Sequence, residues 1–303
     1  MEKKIVQHNA ITQARYEMTA LEMDIVFMLL AQLGEDDEPY RVYQINAKHL
    51  QELSESEVKL AYFKEATEKL IGRVYEMTTA RGFLQIGIVS SAEYITGTGI
   101  IELSIDPKMR PYLFSLKSNF TTFQLKLALQ LKSKYSKRLY QLLSQFKDTG
   151  EYYVTIESLK LMLKLRDAKT GEEQYKNYAD FEKYVIKPAQ KQLKEHTDIS
   201  FTYKIDKQGR KYHALKFSIV YTPKQLKIEI NPESQDMFNK LVNEFKLAQW
   251  QAERVIQVVP PKEISRIIYN IRLMNSDKKI KNIGAYTAME FEKPYNLGIY
   301  KFE

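Results

Sequence analysis

The stretch Tyr178-Ala-Asp-Phe-Glu-Lys-Tyr-Val-Ile-Lys-Pro-Ala-Gln-Lys-Gln-Leu-Lys-Glu-His196 decides how the middle of this chain folds. Its apolar residues recur every four positions, and its lysines fall on the other side of a helical wheel. The apolar positions are Phe181, Val185, Ala189 and Leu193, and the lysines are Lys183, Lys187, Lys191 and Lys194. The stretch therefore predicts a helix with one packed face and one basic face. Pro188 inside the pattern predicts a kink or a break.

The elements around this helix follow a supersecondary order. The patterns predict helices at 133–146, 158–165 and 178–196, and strands at 152–156, 199–203 and 214–221. The last two strands form a hairpin whose turn is Asp206-Lys207-Gln208-Gly209-Arg210. Three helices closed by a two-stranded hairpin describe a winged helix, a variant of the helix-turn-helix.

The same order occurs earlier in the chain, before a spacer at 114–123. The patterns predict a helix from Thr19 to Leu33, a strand at 40–45, a short helix capped by Asn46 and a hairpin of strands 83–94 and 100–105. Between them, a longer helix capped by Ser54 or Ser56 carries an apolar face. That face consists of Leu60, Phe63, Thr67, Leu70 and Val74. Identity between the halves is slight, so the repeat is one of pattern.

The composition changes again after Thr222-Pro223. A strand at 226–230 is followed by helical patterns that start at Asn231, at Leu247 and, after Pro260-Pro261, at Lys262. The predicted fold class is α+β, with two tandem winged-helix domains followed by a small all-helical C-terminal region. The predicted domains are residues 1–115, 116–222 and 223–303.

Positive charge is concentrated in the second of these domains. The chain of 303 residues has 46 Lys and Arg against 38 Asp and Glu, a net charge of +8. By domain the net charges are −5, +10 and +3. An electrostatic contact with a polyanion should therefore be centred on residues 116–222. A lysine-rich surface that is merely solvated would give the same numbers.

Several function classes lack the residues that they need. The chain has no cysteine, which excludes disulfides, thiolate metal sites and cysteine nucleophiles and favours a reducing cytoplasm. The longest uncharged apolar run, Ile25–Leu33, is too short to span a membrane. Gly82–Gly87 has the glycine spacing of a phosphate loop, but Ile88 replaces its lysine. The four histidines are too scattered for a metal motif. We expect a cytoplasmic protein without catalytic residues, metal or cofactor.

Residue types that bond to bases and phosphates cluster at two places in the second winged helix. The start of its third helix supplies Lys176, Asn177, Tyr178 and Asp180, followed by Lys183 and Lys187; the wing supplies Lys207, Arg210 and Lys211. The equivalent helix of the first winged helix has a mixed outward side with Tyr62, Glu65, Lys69 and Arg73. It predicts a secondary DNA contact or none. We expect the unpaired edge of the strand Ile100–Ile105 to form a dimer.

Four stretches of the chain resemble the iteron-binding replication initiators, the Rep proteins of theta-replicating plasmids. The resemblance covers residues 5–222. It lies in Val6-Gln-His-Asn-Ala-Ile-Thr-Gln-Ala-Arg-Tyr16 with 19–30, in Phe120-Thr-Thr-Phe-Gln-Leu with Leu131-Lys-Ser-Lys-Tyr-Ser-Lys-Arg-Leu-Tyr-Gln-Leu-Leu143, in 178–189, and in Gly209-Arg-Lys with Phe217. A further segment, Lys281-Asn-Ile-Gly-Ala-Tyr286, resembles parts near the ends of some replication proteins.

This resemblance implies a function and partners. Members bind directly repeated origin DNA as monomers through two winged helices, promote origin opening and recruit the host initiator and replicative helicase. Their dimers, in equilibrium with monomers, repress their own gene. The helix start, the lysines and the wing named above coincide with the DNA-contacting elements of that family.

Two other functions stay open from the residues alone. A rolling-circle initiator would cut DNA with a tyrosine nucleophile, and the chain has 21 tyrosines. A transcriptional repressor could carry the same pair of winged helices. An array of direct repeats in a footprint would favour the replication initiator over the repressor, and a covalent 5′-linked product on supercoiled origin DNA would favour the nicking initiator.

Overall fold

A computed structural model describes residues 3–34, 37–38, 40–55, 60–79, 81–114, 116–223, 232–275, 280–295 and 297–300. The chain forms two compact units, residues 2–224 and 225–303. None of the helices in these ranges is long and apolar enough to cross a membrane.

The first winged helix is built around a three-stranded sheet. Its chain order is β1 Lys4–His8, α1 Asn9–Thr12, α2 Ala20–Leu30, β2 Val42–Asn46, α3 Ala47–Ser54, α4 Leu60–Ile71, β3 Val74–Thr79, β4 Gly82–Gly87, β5 Val89–Ile95, β6 Ile100–Ile105 and α5 Arg110–Leu113. Strands pair in the order β2-β6-β5, all antiparallel. Thr19 caps α2 by accepting from the Glu22 N–H, and Asn46 caps α3 by accepting from the His49 N–H.

The second winged helix repeats this topology. Its chain order is β7 Phe120–Gln124, α6 Leu125–Gln130, α7 Lys134–Ser144, β8 Glu151–Thr155, α8 Ile156–Met162, α9 Tyr178–Phe181, α10 Lys187–His196, β9 Ile199–Gln208 and β10 Lys211–Tyr221. A π turn at Glu182–Ile186 joins α9 to α10, and these three segments together are the third helix of this domain. The sheet order β8-β10-β9 matches β2-β6-β5. The predicted fold class, with two tandem winged helices, is confirmed.

Several predictions for the first half were wrong. Val74 begins β3 instead of extending α4, and the strand predicted at 83–94 is two strands that belong to different sheets. Strands β3 and β4 form an additional hairpin, which the apolar pattern did not distinguish from its neighbours. The strand Ile100–Ile105 has no free edge, because β6 pairs with β2 on one side and β5 on the other. Ser54 is the last residue of α3, and the alternative cap, Ser56, lies outside the described residues.

The predicted spacer contains a strand that connects the two halves. Strand β7 pairs antiparallel with β1, so that Ile5 lies opposite Phe123. Both side chains are buried. The chain therefore returns to its own beginning before the second winged helix starts.

Helix α7 makes buried polar contacts between the halves. The Lys137 ammonium donates to the Asp24 carboxylate at 2.5 Å and to the Ala128 carbonyl at 2.8 Å, entirely out of contact with solvent. Burial raises the pKa of Asp24 to about 6, against the opposing effect of Lys137. Arg138 donates to the Tyr16 hydroxyl at 2.6 Å. The segment 131–143, which carries part of the family resemblance, therefore has a structural role in joining the domains.

The C-terminal unit has a core of its own. Its helices are α11 Pro232–Asn243, α12 Gln249–Val258, α13 Pro261–Met274 and α14 Ile283–Tyr295. Leu241, Phe245 and Phe291 are among its fully buried residues. Asn282 accepts a hydrogen bond from the Ala285 N–H at 3.0 Å, and a Cβ at Gly284 would lie 2.6 Å from the Lys246 carbonyl oxygen. These contacts give the segment 281–286 a packing role. The strand predicted at 226–230 lies outside the described residues.

Candidate nucleic-acid interface

The π turn straightens the apolar face of the third helix. Residues four apart on an α-helix over-rotate by about 40°, so the row from Phe181 to Leu193 would drift by about 120°. The π turn adds one residue to one turn and sets every later residue back by about 100°. Phe181, Val185, Ala189 and Leu193 are consequently all buried in one core. The irregularity expected at Pro188 is this turn, and the helix continues without a break to His196.

The basic face of the third helix is open to solvent. Lys183, Lys187, Lys191 and Lys194 are all exposed. Lys187 also pairs with Glu182 at 3.5 Å across the π turn. Glu182 is held in turn by the Tyr203 hydroxyl, which donates at 2.6 Å and whose pKa is raised chiefly by burial and by this bond. The wing strand β9 thus fixes the carboxylate that orients Lys187.

A groove lies between the start of the third helix and the wing. Its volume is about 770 Å³, and its lining includes the predicted residues Lys176, Asn177, Tyr178, Arg210 and Lys211. Lining residues from the two predicted clusters, at least 32 positions apart in the sequence, therefore share one surface. Lys176, Asn177, Arg210 and Lys211 are exposed and Tyr178 is half-buried.

Aromatic stacking connects the two sides of this groove. The rings of Tyr178 and Tyr212 stack with centroids 4.5 Å apart, and the Lys207 ammonium lies 4.9 Å from the Tyr212 ring. Burial raises the pKa of Tyr178 to about 12, so its hydroxyl is protonated at neutral pH. Asp180, two residues further along the helix, is half-buried. The stack holds the wing next to the start of the third helix.

The loop between α8 and α9 is held by a buried lysine. Lys160 donates to the Glu173 carboxylate at 2.5 Å and to the Tyr175 carbonyl at 2.7 Å. Tyr175 has a positive φ of 53°, a conformation that bulky residues rarely adopt. Two ion pairs also hold the loop. Lys164 pairs with Glu76 of β3 at 3.0 Å, and Arg166 pairs with Glu157 of α8 at 2.9 Å. The entry to the third helix is thus rigidly positioned.

The secondary residues of the first winged helix do not form a comparable surface. Tyr62 is exposed on α4, and the Lys69 ammonium pairs with Glu65 at 2.6 Å, which raises the lysine pKa. Arg73 lies beyond the end of α4 and is half-buried. Its guanidinium donates two hydrogen bonds to the buried carboxylate of Glu22, at 2.8 and 3.0 Å. Its contacts are therefore those of a structural ion pair.

Two family models match the chain in tandem. The model described as "Initiator Replication protein, WH1" matches residues 4–144, and that described as "Initiator Rep protein, WH2" matches residues 155–219. Together they cover more than half of the chain and both winged helices. The chain belongs to the initiator replication protein family. The family resemblance found in the sequence is thereby confirmed.

Relatives and a solved structure agree with this membership. The "PI protein" of Escherichia coli is 27% identical over 251 residues, which cover 72% of this chain and 82% of that protein. An "Uncharacterized 27.6 kDa protein" of Escherichia coli is 26% identical over 228 residues, covering 68% and 91%. The crystal structure of the Pi initiator protein in complex with iteron DNA matches with a TM-score of 0.64 and 25% identity, covering 74% of this chain and 99% of that chain.

Some residues of the interface were missed in the sequence. Tyr184 and Tyr212 are exposed aromatic residues beside the predicted lysines, and Lys160 is a buried anchor. The spacing of four between successive apolar residues, together with Pro188, was the signal for the π turn that carries Tyr184. The partners of Lys160 and Tyr212 depend on loop paths that no local pattern encodes.

Within the described ranges, no cluster of three potential metal ligands is present.

Proposed function

We propose that this chain is a plasmid replication initiator that binds directly repeated origin DNA, with the second winged helix as its main contact. The observation that carries the proposal is the groove in which Lys176, Asn177, Arg210 and Lys211 come together beside an exposed lysine face. The relative crystallised with iteron DNA, aligned over nearly all of its length, supports it.

The contacts divide into two kinds. Phosphate contacts set affinity and register, and they come from Lys183 and Lys187 of the third helix and from Lys207, Arg210 and Lys211 of the wing. Lys176, Asn177 and Asp180 supply side chains able to bond base edges in the major groove. The stack of Tyr178 on Tyr212 keeps the two kinds of contact at a fixed spacing.

The first winged helix is proposed to serve chiefly for protein contact. Its wing turn Thr96-Gly97-Thr98-Gly99 has no charged residue. Tyr62 and Lys69 remain candidates for a secondary DNA contact, whereas Arg73 is engaged by Glu22. A homodimer in equilibrium with the monomer would use an edge strand, β2 or β5, since β6 is paired on both sides.

The later steps are proposed on the basis of the resemblance to the initiator family. We assign to this chain origin opening, recruitment of the host initiator and replicative helicase, and repression of its own gene by the dimer. Residues 1–115, 116–222 and 223–303 serve as dimerisation domain, main DNA-binding domain and helical region. The protein is proposed to act in the cytoplasm and off the membrane, and to need no metal, cofactor or catalytic residue.

Footprinting of the full-length chain on its own replicon tests this proposal. We expect protection of an array of direct repeats near the gene, whereas a single inverted repeat would indicate a repressor. Incubation with the supercoiled replicon and Mg²⁺ should leave it uncut. A covalent 5′-linked protein–DNA product would overturn the proposal in favour of a nicking initiator.

A further inference from the structure

Tyr184 is an exposed aromatic side chain on the helix proposed to enter the major groove. It lies inside the π turn and is 48% exposed, although large aromatic side chains are more often covered. It follows Asp180 by four residues, so it lies one turn further along the helix surface that starts with the base-reading residues. Lys183 and Lys187, both exposed, flank it in sequence.

The ring of Tyr184 is held in place before any ligand arrives. It stacks on Tyr175, with centroids 5.5 Å apart and planes 25° apart, and the Lys183 ammonium lies 5.0 Å from it. The main chain of Tyr175 is itself fixed, since its carbonyl accepts from the buried Lys160 at 2.7 Å. A fixed aromatic ring loses little conformational freedom on binding. Such a ring is suited to contact with a bound ligand. An aromatic ring that only faced water would not need this support.

We infer that Tyr184, supported by Tyr175, is a specificity-determining residue that makes apolar contact with the C5-methyl group of a thymine in the bound duplex. This inference rests on the proposed function, because it requires the third helix to lie in the major groove. The thymine methyl is the apolar group that the major groove exposes, and apolar side chains read it. The neighbouring lysines hold the phosphates on either side, so the ring is directed at base edges.

The test combines protein variants with modified DNA. The full-length wild-type chain first selects its preferred duplex from a random pool. Synthetic duplexes of that sequence then carry deoxyuridine in place of thymidine at one position at a time, which removes one methyl group. Affinity is measured by fluorescence anisotropy for the wild type, Tyr184→Ala, Tyr184→Gln and Tyr184→Phe. Tyr269→Ala is the matched control, since Tyr269 is similarly exposed but lies on α13 of the C-terminal unit.

We expect one thymine position at which deoxyuridine weakens wild-type binding about fourfold, the contribution of one buried methyl group. Tyr184→Ala and Tyr184→Gln should weaken binding to the unmodified duplex by at least that factor and be insensitive to deoxyuridine at that position. Tyr184→Phe and Tyr269→Ala should behave as wild type. Glutamine keeps a longer side chain than alanine and also favours helix, so Tyr184→Gln keeps the test valid if Tyr184→Ala lowers the melting temperature through lost packing.

Four results would overturn the inference. Unchanged affinity of Tyr184→Ala and Tyr184→Gln would mean that the ring has only a structural role. A loss of affinity that is independent of every thymine methyl group would exclude the methyl contact. A loss of affinity that Tyr184→Phe shares would assign the residue to a phosphate contact through its hydroxyl. A wild-type chain that selects no sequence would overturn the proposed function itself, and this inference with it.

Discussion

Neutralising one lysine of the third helix should weaken DNA binding by an amount that salt titration can measure. Lys183 is exposed, and no carboxylate among the described residues forms an ion pair with it. Each phosphate contact on B-DNA makes affinity vary with about the −0.9 power of salt concentration, so at about 0.1 M salt one lost contact costs about eightfold. Lys183→Gln should therefore bind about eightfold more weakly, with a salt slope smaller by about 0.9.

The assay is fluorescence anisotropy with the selected duplex at several salt concentrations. If about six to ten phosphates are contacted, the wild-type slope should be about −5 to −9. Lys216→Gln is the matched control, because Lys216 lies on the outward side of the sheet and pairs with Glu151 at 2.9 Å. Its affinity and slope should stay close to those of the wild type.

The reasoning would be refuted if Lys183→Gln left the slope unchanged. It would also be refuted if Lys216→Gln reduced the slope by the same amount, since binding would then follow total charge and not the third helix. The double variant Lys183→Glu with Lys187→Glu extends the test. It should abolish origin binding and keep the wild-type melting temperature.

Three further predictions concern stability, each measured by denaturation of the full chain. Gly284→Ala should destabilise the C-terminal unit by about 1–3 kcal/mol, because its Cβ would meet the Lys246 carbonyl; Gly72→Ala, with ordinary contacts, should not. Lys137→Met should cost about 3–5 kcal/mol at about pH 8 by leaving Asp24 buried and unpaired. The cost should be smaller at about pH 5, since burial raises the pKa of Asp24 to about 6 and the carboxyl is neutral below it; equal costs would contradict this. Arg73→Gln should lower the melting temperature and leave the DNA affinity of the folded protein unchanged; a specific loss of affinity would restore Arg73 as a DNA contact.

The sequence by itself determined the elements whose signals are local. The apolar spacing at 178–196, the caps at Thr19 and Asn46 and the charged turn at 206–210 each depend on neighbours within a few residues. The tandem winged-helix order and the concentration of positive charge in residues 116–222 followed from these. The family resemblance then came from residues in the same order along the chain.

Only the tertiary structure decided which distant groups meet. The pairing of β1 with β7, the ion pair of Arg73 with Glu22 and the stack of Tyr178 on Tyr212 each join residues that are far apart in sequence. A strand or an arginine has the same local pattern whichever partner it finds, so the pattern cannot name the partner. The π turn was decided in the same way, because burying four apolar residues in one core required the helix to lose about 100° of rotation.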